Sequence, residues 1–396
     1  MSGVHILGVG AIPWGKQTVM TQLKMALEAI KAALLDAELS WKDIDGVVAA
    51  SSRFEGGMGW GLHANELVQA TSEQGVPCIN VGGACAAGAI AFQTAFSMIA
   101  SGQSEAVVVI GAERMPKGFI PRPPGGQDDI TDNDFLRWVT MGLTNPAYWA
   151  MEAQRRIHDY GTTPESFAEA VILMRNNAAS NPNARFRKSV TAAEVLASPM
   201  VTDPLHLLQI CPVSDGAAAL ILCSDRLAAR VSRMSVEVAG IGIASGTYGD
   251  PAHRIPTVGG SVHGDIPHTS EVMSAAQKAM SMAGVEHGDI DVLEMADNTA
   301  WHLLAWPEML GFVEPGQGDW MLKNKRYNLN GDLALNPSGG FLSFGEATTA
   351  QAVLQICELV WQLRSEASGR QVPNARVGMS AVLGLGANGG SVVLKR

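Results

Sequence analysis

The 396 residues carry 28 Lys and Arg against 38 Asp and Glu, a formal net charge of −10, which excludes nucleic acid and anionic membrane surfaces as general partners. No apolar run approaches the roughly 20 residues of a membrane span and no secretory signal opens the chain, so a soluble, cytoplasmic protein with no membrane span is predicted. Five cysteines (78, 85, 211, 223 and 357) without CxxC spacing argue against both a disulfide framework and a metal site.

In chain order, Val4 onward reads as a first strand. Leu23, Ala26, Leu27, Ile30 and Leu34 then recur at helical spacing and lead through Leu39-Ser-Trp-Lys into "DIDGVVAAS" from Asp43, an acidic turn followed by a buried strand. Val76-Pro-Cys-Ile is strand-like. "NVGGACAAG" from Asn80 then turns the chain into an Ala-rich helix over 86–100, followed by another strand. Residues 115–146 are rich in Pro, Gly and Asp and have no clear period, the mark of a surface excursion or an active-site cover. Residues 147–199 read as helices and include the basic run Arg185, Arg187 and Lys188.

The pattern then repeats. Val272, Ala275, Ala276, Ala279 and Met280 lead into "DIDVLEMAD" from Asp289, and Asn336-Pro-Ser-Gly-Gly echoes Asn80-Val-Gly-Gly before a second Ala-rich helix and strand. An internal duplication of alternating strands and helices predicts an α/β fold of two similar halves packed face to face. The halves fall at residues 1–225 and 234–396, with an insertion over about 115–199 in the first, and functional groups belong at the strand-to-helix turns.

Several motifs fail. Gly10 to Lys16 imitates a phosphate-binding loop, but Gln17 stands where Ser or Thr is required and Pro13 interrupts it. Gly384 to Gly389 fits GxGxxG, yet too few residues follow to build a dinucleotide site. Cys78, Cys223 and Cys357 read as small buried hydrophobes. Cys85 differs: at a helix N-terminus, unpaired N–H groups favour thiolate over thiol and can hold the oxyanion of a tetrahedral intermediate.

The stretch "NVGGACAAGAIAFQTAFSMIASGQSEAVVVIGAERM" resembles the nucleophile segment of the thiolase superfamily, nearest its sterol-carrier-type, lipid-transfer-protein-like branch. "NPNARFRKSVTAAEVLASPMVTDPL", "CPVSDGAAALILCS", "NPSGG" and "GLGANGG" resemble the same family in order along the whole chain. The resemblance implies a layered αβαβα fold, and an acyl-CoA thiolase with Cys85 as the acyl-accepting nucleophile. Cys85 and Gly386 would supply the oxyanion hole. It implies no permanently bound cofactor, with coenzyme A as a substrate.

The departures from the family are specific. Ala296-Asp-Asn-Thr replaces His-Asp-Cys-Phe, Gly345-Glu-Ala replaces Gly-His-Pro, and Gly384-Leu-Gly replaces Cys-x-Gly. Glu346 therefore becomes the candidate proton carrier, and Asn298 or one of His253, His263 and His268 the candidate donor. Arg185, Arg187 and Lys188, with Arg114 and Lys117 as secondary options, are the candidate coenzyme A phosphate contacts. Overall likeness within the family is to the large subunits of benzoylsuccinyl-CoA thiolases. That implies 2-benzoylsuccinyl-CoA as substrate in anaerobic toluene degradation, and a homodimer joined by a small zinc-ribbon/OB-fold subunit. Gly-Glu-Ala also resembles thiolase-like retro-aldolases, although those place tyrosines where this chain has Ala296 and Thr348. A non-catalytic acyl-CoA or lipid carrier is the remaining alternative.

Overall fold

The computed structural model describes residues 3–17, 19–51, 62–71, 75–115, 145–245, 270–384 and 388–396. Ten strands form one mixed sheet: β1 Val4–Ala11, β2 Gly46–Ala50, β3 Cys78–Val81, β4 Ala106–Arg114, β5 Asp215–Ser224, β6 Val236–Ser245, β7 Val292–Met295, β8 Ala334–Leu335, β9 Val377–Gly384 and β10 Asn388–Lys395. Read outward from the centre, one half runs β1-β5-β4-β2-β3 and the other β6-β10-β9-β7-β8. In each half the first two pairings are antiparallel and the last two parallel, so the duplication read from the sequence is a duplication of topology.

The repeated "DID" explains itself locally. Asp43 accepts the Ser40 backbone N–H at 2.8 Å, and Asp289 accepts that of Glu286 at 2.9 Å, each closing a short turn ahead of its strand. Two residues on, Asp45 accepts the Glu105 N–H at 2.7 Å and Asp291 that of Arg376 at 2.8 Å. Each carboxylate thus ties its own strand to the start of the parallel neighbour. The helices preceding these turns, α1 Gln22–Asp36 and α3 Glu271–Ala283, begin at Thr21 and Ser270, whose hydroxyls accept the third backbone N–H.

Both faces of the sheet are covered, which is why its strands are apolar without alternation. Val48, Ala50, Val107, Val109, Leu220 and Leu222 face a central core shared with β6, β7 and β10 and with α2 Ala87–Ala100 and α4 Gln351–Leu363. Val47, Ala49, Val108, Ile110, Ala219 and Ile221 point the other way, against α1. Residues of α3 and of the helices at 145–178 and 300–309 build the outer core of the second half. Each Leu, Ile or Val fully withdrawn from water in these layers contributes roughly 1.5–3 kcal/mol.

The halves meet in two ways: across the shared helix layer, and edge to edge where His5 and Ile6 of β1 pair with Glu237 and Val236 of β6. The expectation of halves packed face to face therefore captures the layering and omits this seam.

Gly10, which opens the false phosphate loop, and Gly8 before it have a structural task on β1. A Cβ on Gly8 or Gly10 would come within 2.3 Å of an α1 carbonyl, and one on Gly240 or Gly242 within 2.0 Å of an α3 carbonyl, so both helices lie directly on their strands. Gly384 of β9 pairs with Asn388 of β10, so the two ends of the GxGxxG match lie on adjacent antiparallel strands. Helices Asn145–Tyr160, Pro164–Ala178 and Ala192–Ala197 occupy the described part of the insertion. Among the described residues no helix is long and apolar enough to cross a membrane.

Candidate active site

Cys85 lies on a single turn of 3-10 helix between β3 and α2, buried to 5% exposure. The turn is tightly built. Ala84 holds a left-handed φ of +48°, a conformation that costs an L-residue on the order of 1–2 kcal/mol. Gly384 presses against it, since a Cβ there would sit 2.2 Å from the Gly83 carbonyl and 2.8 Å from the Ala86 nitrogen. The β9 backbone thus fixes the height at which the sulfur emerges.

Glu346 reaches the same point from the second half. Its backbone is clamped at both ends: Glu346 N–H donates to Pro212 O at 2.7 Å, and its carbonyl accepts from Ser214 N at 2.8 Å. Gly345 precedes it at φ +81°, where a Cβ would lie 2.3 Å from Ser214 Oγ. Asp297, fully buried, accepts the Phe341 and Leu342 N–H groups at 2.6 and 3.3 Å, and so caps the short helix that delivers Glu346.

The side chains converge. Cys85 Sγ donates to Glu346 Oε1 at 3.1 Å, and Asn298 Nδ2 approaches the same oxygen at 3.4 Å. Glu346 Oε2 is buried with no hydrogen-bond partner among the described residues. Burial pushes the Glu346 carboxyl above the usual carboxylate range, and the hydrogen bonds from Cys85 and Asn298 pull it partly back. A thiol and a carboxyl in this contact share a proton readily, because ionising both would place two anions together in a dry pocket.

Two further residues occupy the site without a sequence signal. Cys211 sits behind Asn298, whose Nδ2 is 3.7 Å from its sulfur, and burial together with the nearby Glu346 and Asp297 carboxyls raises its thiol well above the ordinary value. Cys211 belongs to the quoted "CPVSDGAAA" stretch, but nothing local marked it. His302, on the helix Ala300–Met309, lines the same cleft as Cys85, Asn298, Glu346, Tyr148, Trp149 and Gly384.

Other candidate residues lie apart. Arg185 donates to Val213 O at 2.7 Å and Ser214 Oγ at 3.0 Å and stacks on Phe186, so it braces the segment ahead of β5 that clamps Glu346. Arg187 and Lys188 are exposed, and none of these three lines the cleft. Arg114 reaches Gln17 O at 3.4 Å. Ala296 is buried and presents only a methyl group, while Thr348 donates to Glu113 at 2.7 Å. Gly386, Lys117, His253, His263 and His268 lie outside the described residues. All five cysteines are free, and among the described residues no group of three or more His, Cys, Asp and Glu is placed to hold a metal.

Comparison with known proteins agrees with the duplicated architecture. Residues 6–226 match the family model described as "Thiolase, N-terminal domain" and residues 261–396 the one described as "Thiolase C-terminal domain-like". The acetyl-CoA acetyltransferase of Methanothermobacter thermautotrophicus is 34% identical, covering 97% of each chain. Human sterol carrier protein 2 is 30% identical over 99% of this chain and 71% of its own. Benzoylsuccinyl-CoA thiolase subunit BbsB of Thauera aromatica is 29% identical over 97% of this chain and 95% of its own. A solved structure titled "Ltp2-ChsH2(DUF35) aldolase" superposes with a TM-score of 0.81 at 26% identity, covering 99% of this chain and 97% of that one. With both halves matched in order and a relative at this identity spanning nearly its whole length, the chain is an enzyme of the thiolase family.

Proposed function

We propose that the protein cleaves a β-ketoacyl-CoA through an acyl group carried on Cys85, with 2-benzoylsuccinyl-CoA as substrate and benzoyl-CoA and succinyl-CoA as products. The contact of Cys85 with a buried Glu346 carboxyl carries this reading. Glu346 takes the Cys85 proton as the sulfur attacks the ketone carbon, and the negative charge passes to the ketone oxygen. The Cys85 N–H on the turn that leads into α2, with that of Gly386, stabilises this oxygen. Collapse breaks the carbon–carbon bond and expels the enolate of succinyl-CoA, which takes a proton from Glu346 at its α-carbon. Coenzyme A then gives its thiol proton to Glu346 and attacks the acyl carbon, and Cys85 leaves and recovers the proton. Asn298 holds the carboxyl in place throughout.

Tyr148 and Trp149 in the cleft favour an aryl acyl group. Arg187 and Lys188, exposed and without a described ion-pair partner, are the proposed contacts for coenzyme A phosphates, and Arg185 supports the site from behind. A homodimer with a small zinc-ribbon/OB-fold subunit is the proposed assembly. The naming of BbsB as a subunit and of ChsH2(DUF35) beside Ltp2 supports it. The retro-aldolase reading has the structural likeness in its favour, but neither Ala296 nor Thr348 brings a phenol to the cleft.

Product analysis separates the readings. The protein, with its small subunit, is incubated with 2-benzoylsuccinyl-CoA and free coenzyme A, and thioesters are resolved by chromatography. Benzoyl-CoA and succinyl-CoA in equal amounts are expected. Repeated turnover without coenzyme A, beyond one equivalent of acyl-enzyme, points to an aldolase. Binding without cleavage points to a carrier.

A further inference from the structure

We propose that His302 donates a hydrogen bond from Nε2 to the thioester oxygen on which negative charge collects as the carbon–carbon bond breaks. The proposal rests on the thiolase reading above. His302 is only 3% exposed, yet it lines the cleft that holds Cys85 and Glu346. Its Nδ1 receives the Thr299 backbone N–H at 3.1 Å and lies 3.0 Å from Thr299 Oγ1. A backbone N–H can only donate, so Nδ1 is the acceptor and the neutral ring carries its hydrogen on Nε2. No described residue accepts that hydrogen.

Three indoles hold the ring in place: Trp149 at 5.5 Å, Trp301 at 4.8 Å and Trp306 at 5.3 Å between centroids. Burial drives the His302 pKa down to about 3, so the ring stays neutral and gives a hydrogen bond without giving up its proton. Two other donors in the cleft are engaged: Asn298 Nδ2 faces Glu346, and the Tyr148 hydroxyl bonds Glu152. Ala296 offers none. A fixed, neutral N–H in a dry cleft is suited to an enolate oxygen, because its dipole is already oriented when the charge appears.

Two steps distinguish this role from a structural one. Transfer of benzoyl from benzoyl-CoA to Cys85 forms no enolate, whereas cleavage of 2-benzoylsuccinyl-CoA does. His302→Asn keeps an acceptor near Nδ1 for Thr299 and removes the distal donor; His302→Gln restores a donor near Nε2. His302→Asn is expected to slow carbon–carbon cleavage about 10²-fold, within the range for one lost oxyanion donor, and to leave benzoyl loading near the wild-type rate. His302→Gln is expected to recover part of the cleavage rate. Equal slowing of both steps by His302→Asn, or no slowing of either, overturns the proposal while the thiolase reading stands. A wild type that neither loads Cys85 nor cleaves removes both.

Discussion

In the first half the chain leaves β3 at Val81 and enters α2 at Ala87, with Cys85 on the short turn between; in the second half it leaves β8 at Leu335 and enters α4 only at Gln351, with Glu346 on the longer path. Both segments begin from an asparagine that binds backbone. Asn80 Oδ1 accepts from Ala64 N at 2.8 Å, and Asn336 Oδ1 accepts from Met295 N at 2.7 Å. Beyond that shared anchor they differ. The short turn spends its geometry on a left-handed Ala84 and close backbone contact, whereas the long one is held by buried polar groups, Asp297 and the Pro212–Ser214 clamp. A duplicated fold thus places two equivalent turns beside each other and can assign a nucleophile to one and a proton carrier to the other.

Removing either member tests this pairing most severely. Glu346→Gln keeps the shape and loses the base, and is expected to lower the cleavage rate by about 10²–10⁴-fold in steady-state assays. In the wild type, activity needs ionised Glu346 to accept the Cys85 proton. The acid limb of kcat/KM therefore falls above the ordinary carboxylate range, in the direction burial imposes, and Glu346→Gln loses that limb. Stability moves the opposite way. The raised carboxyl favours the protonated folded form, so stability present below the unfolded carboxyl value is lost as pH rises through the folded one. Glu346→Gln cannot ionise, so its stability advantage over wild type in chemical denaturation should widen with rising pH; a gap that narrows contradicts the assignment.

Smaller perturbations sharpen the contrast between site and scaffold. Gly384→Ala and Gly242→Ala both drive a Cβ against backbone, at 2.2 Å from Gly83 O and 1.9 Å from Ala275 O, and each is expected to cost about 1–3 kcal/mol in denaturant melts. Only Gly384→Ala shifts the Cys85 turn, so it alone should reduce activity per folded molecule. Gly288→Ala should change stability by no more than about 0.5 kcal/mol, because a Cβ there meets nothing and Lys42 fills the matching position of the first half.

The repeat and Cys85 were legible because their signals are local: acidic turn, apolar strand, glycine turn and helix follow one another within each half. Glu346 and Asn298 became candidates through the departures from the family pattern, and the fold brought both to Cys85. Cys211 and His302 were not legible. Their meaning comes from neighbours distant in the chain, such as Asn298 for Cys211 and Trp149 for His302. Arg185 shows the converse: in a basic run it reads as a phosphate contact, yet Val213 O and Ser214 Oγ engage it beside Glu346. The β1–β6 seam likewise left no mark, since an edge strand and a central strand of this composition read alike.

The most direct test of the central claim is intact mass spectrometry of the protein with its small subunit after exposure to 2-benzoylsuccinyl-CoA without free coenzyme A, beside Cys85→Ser. The account predicts a benzoyl-sized mass gain on the wild type, mapped to the peptide containing Cys85 and absent from the variant. An unmodified wild-type protein in an assembled complex that binds coenzyme A, or an adduct that persists in Cys85→Ser, would contradict it.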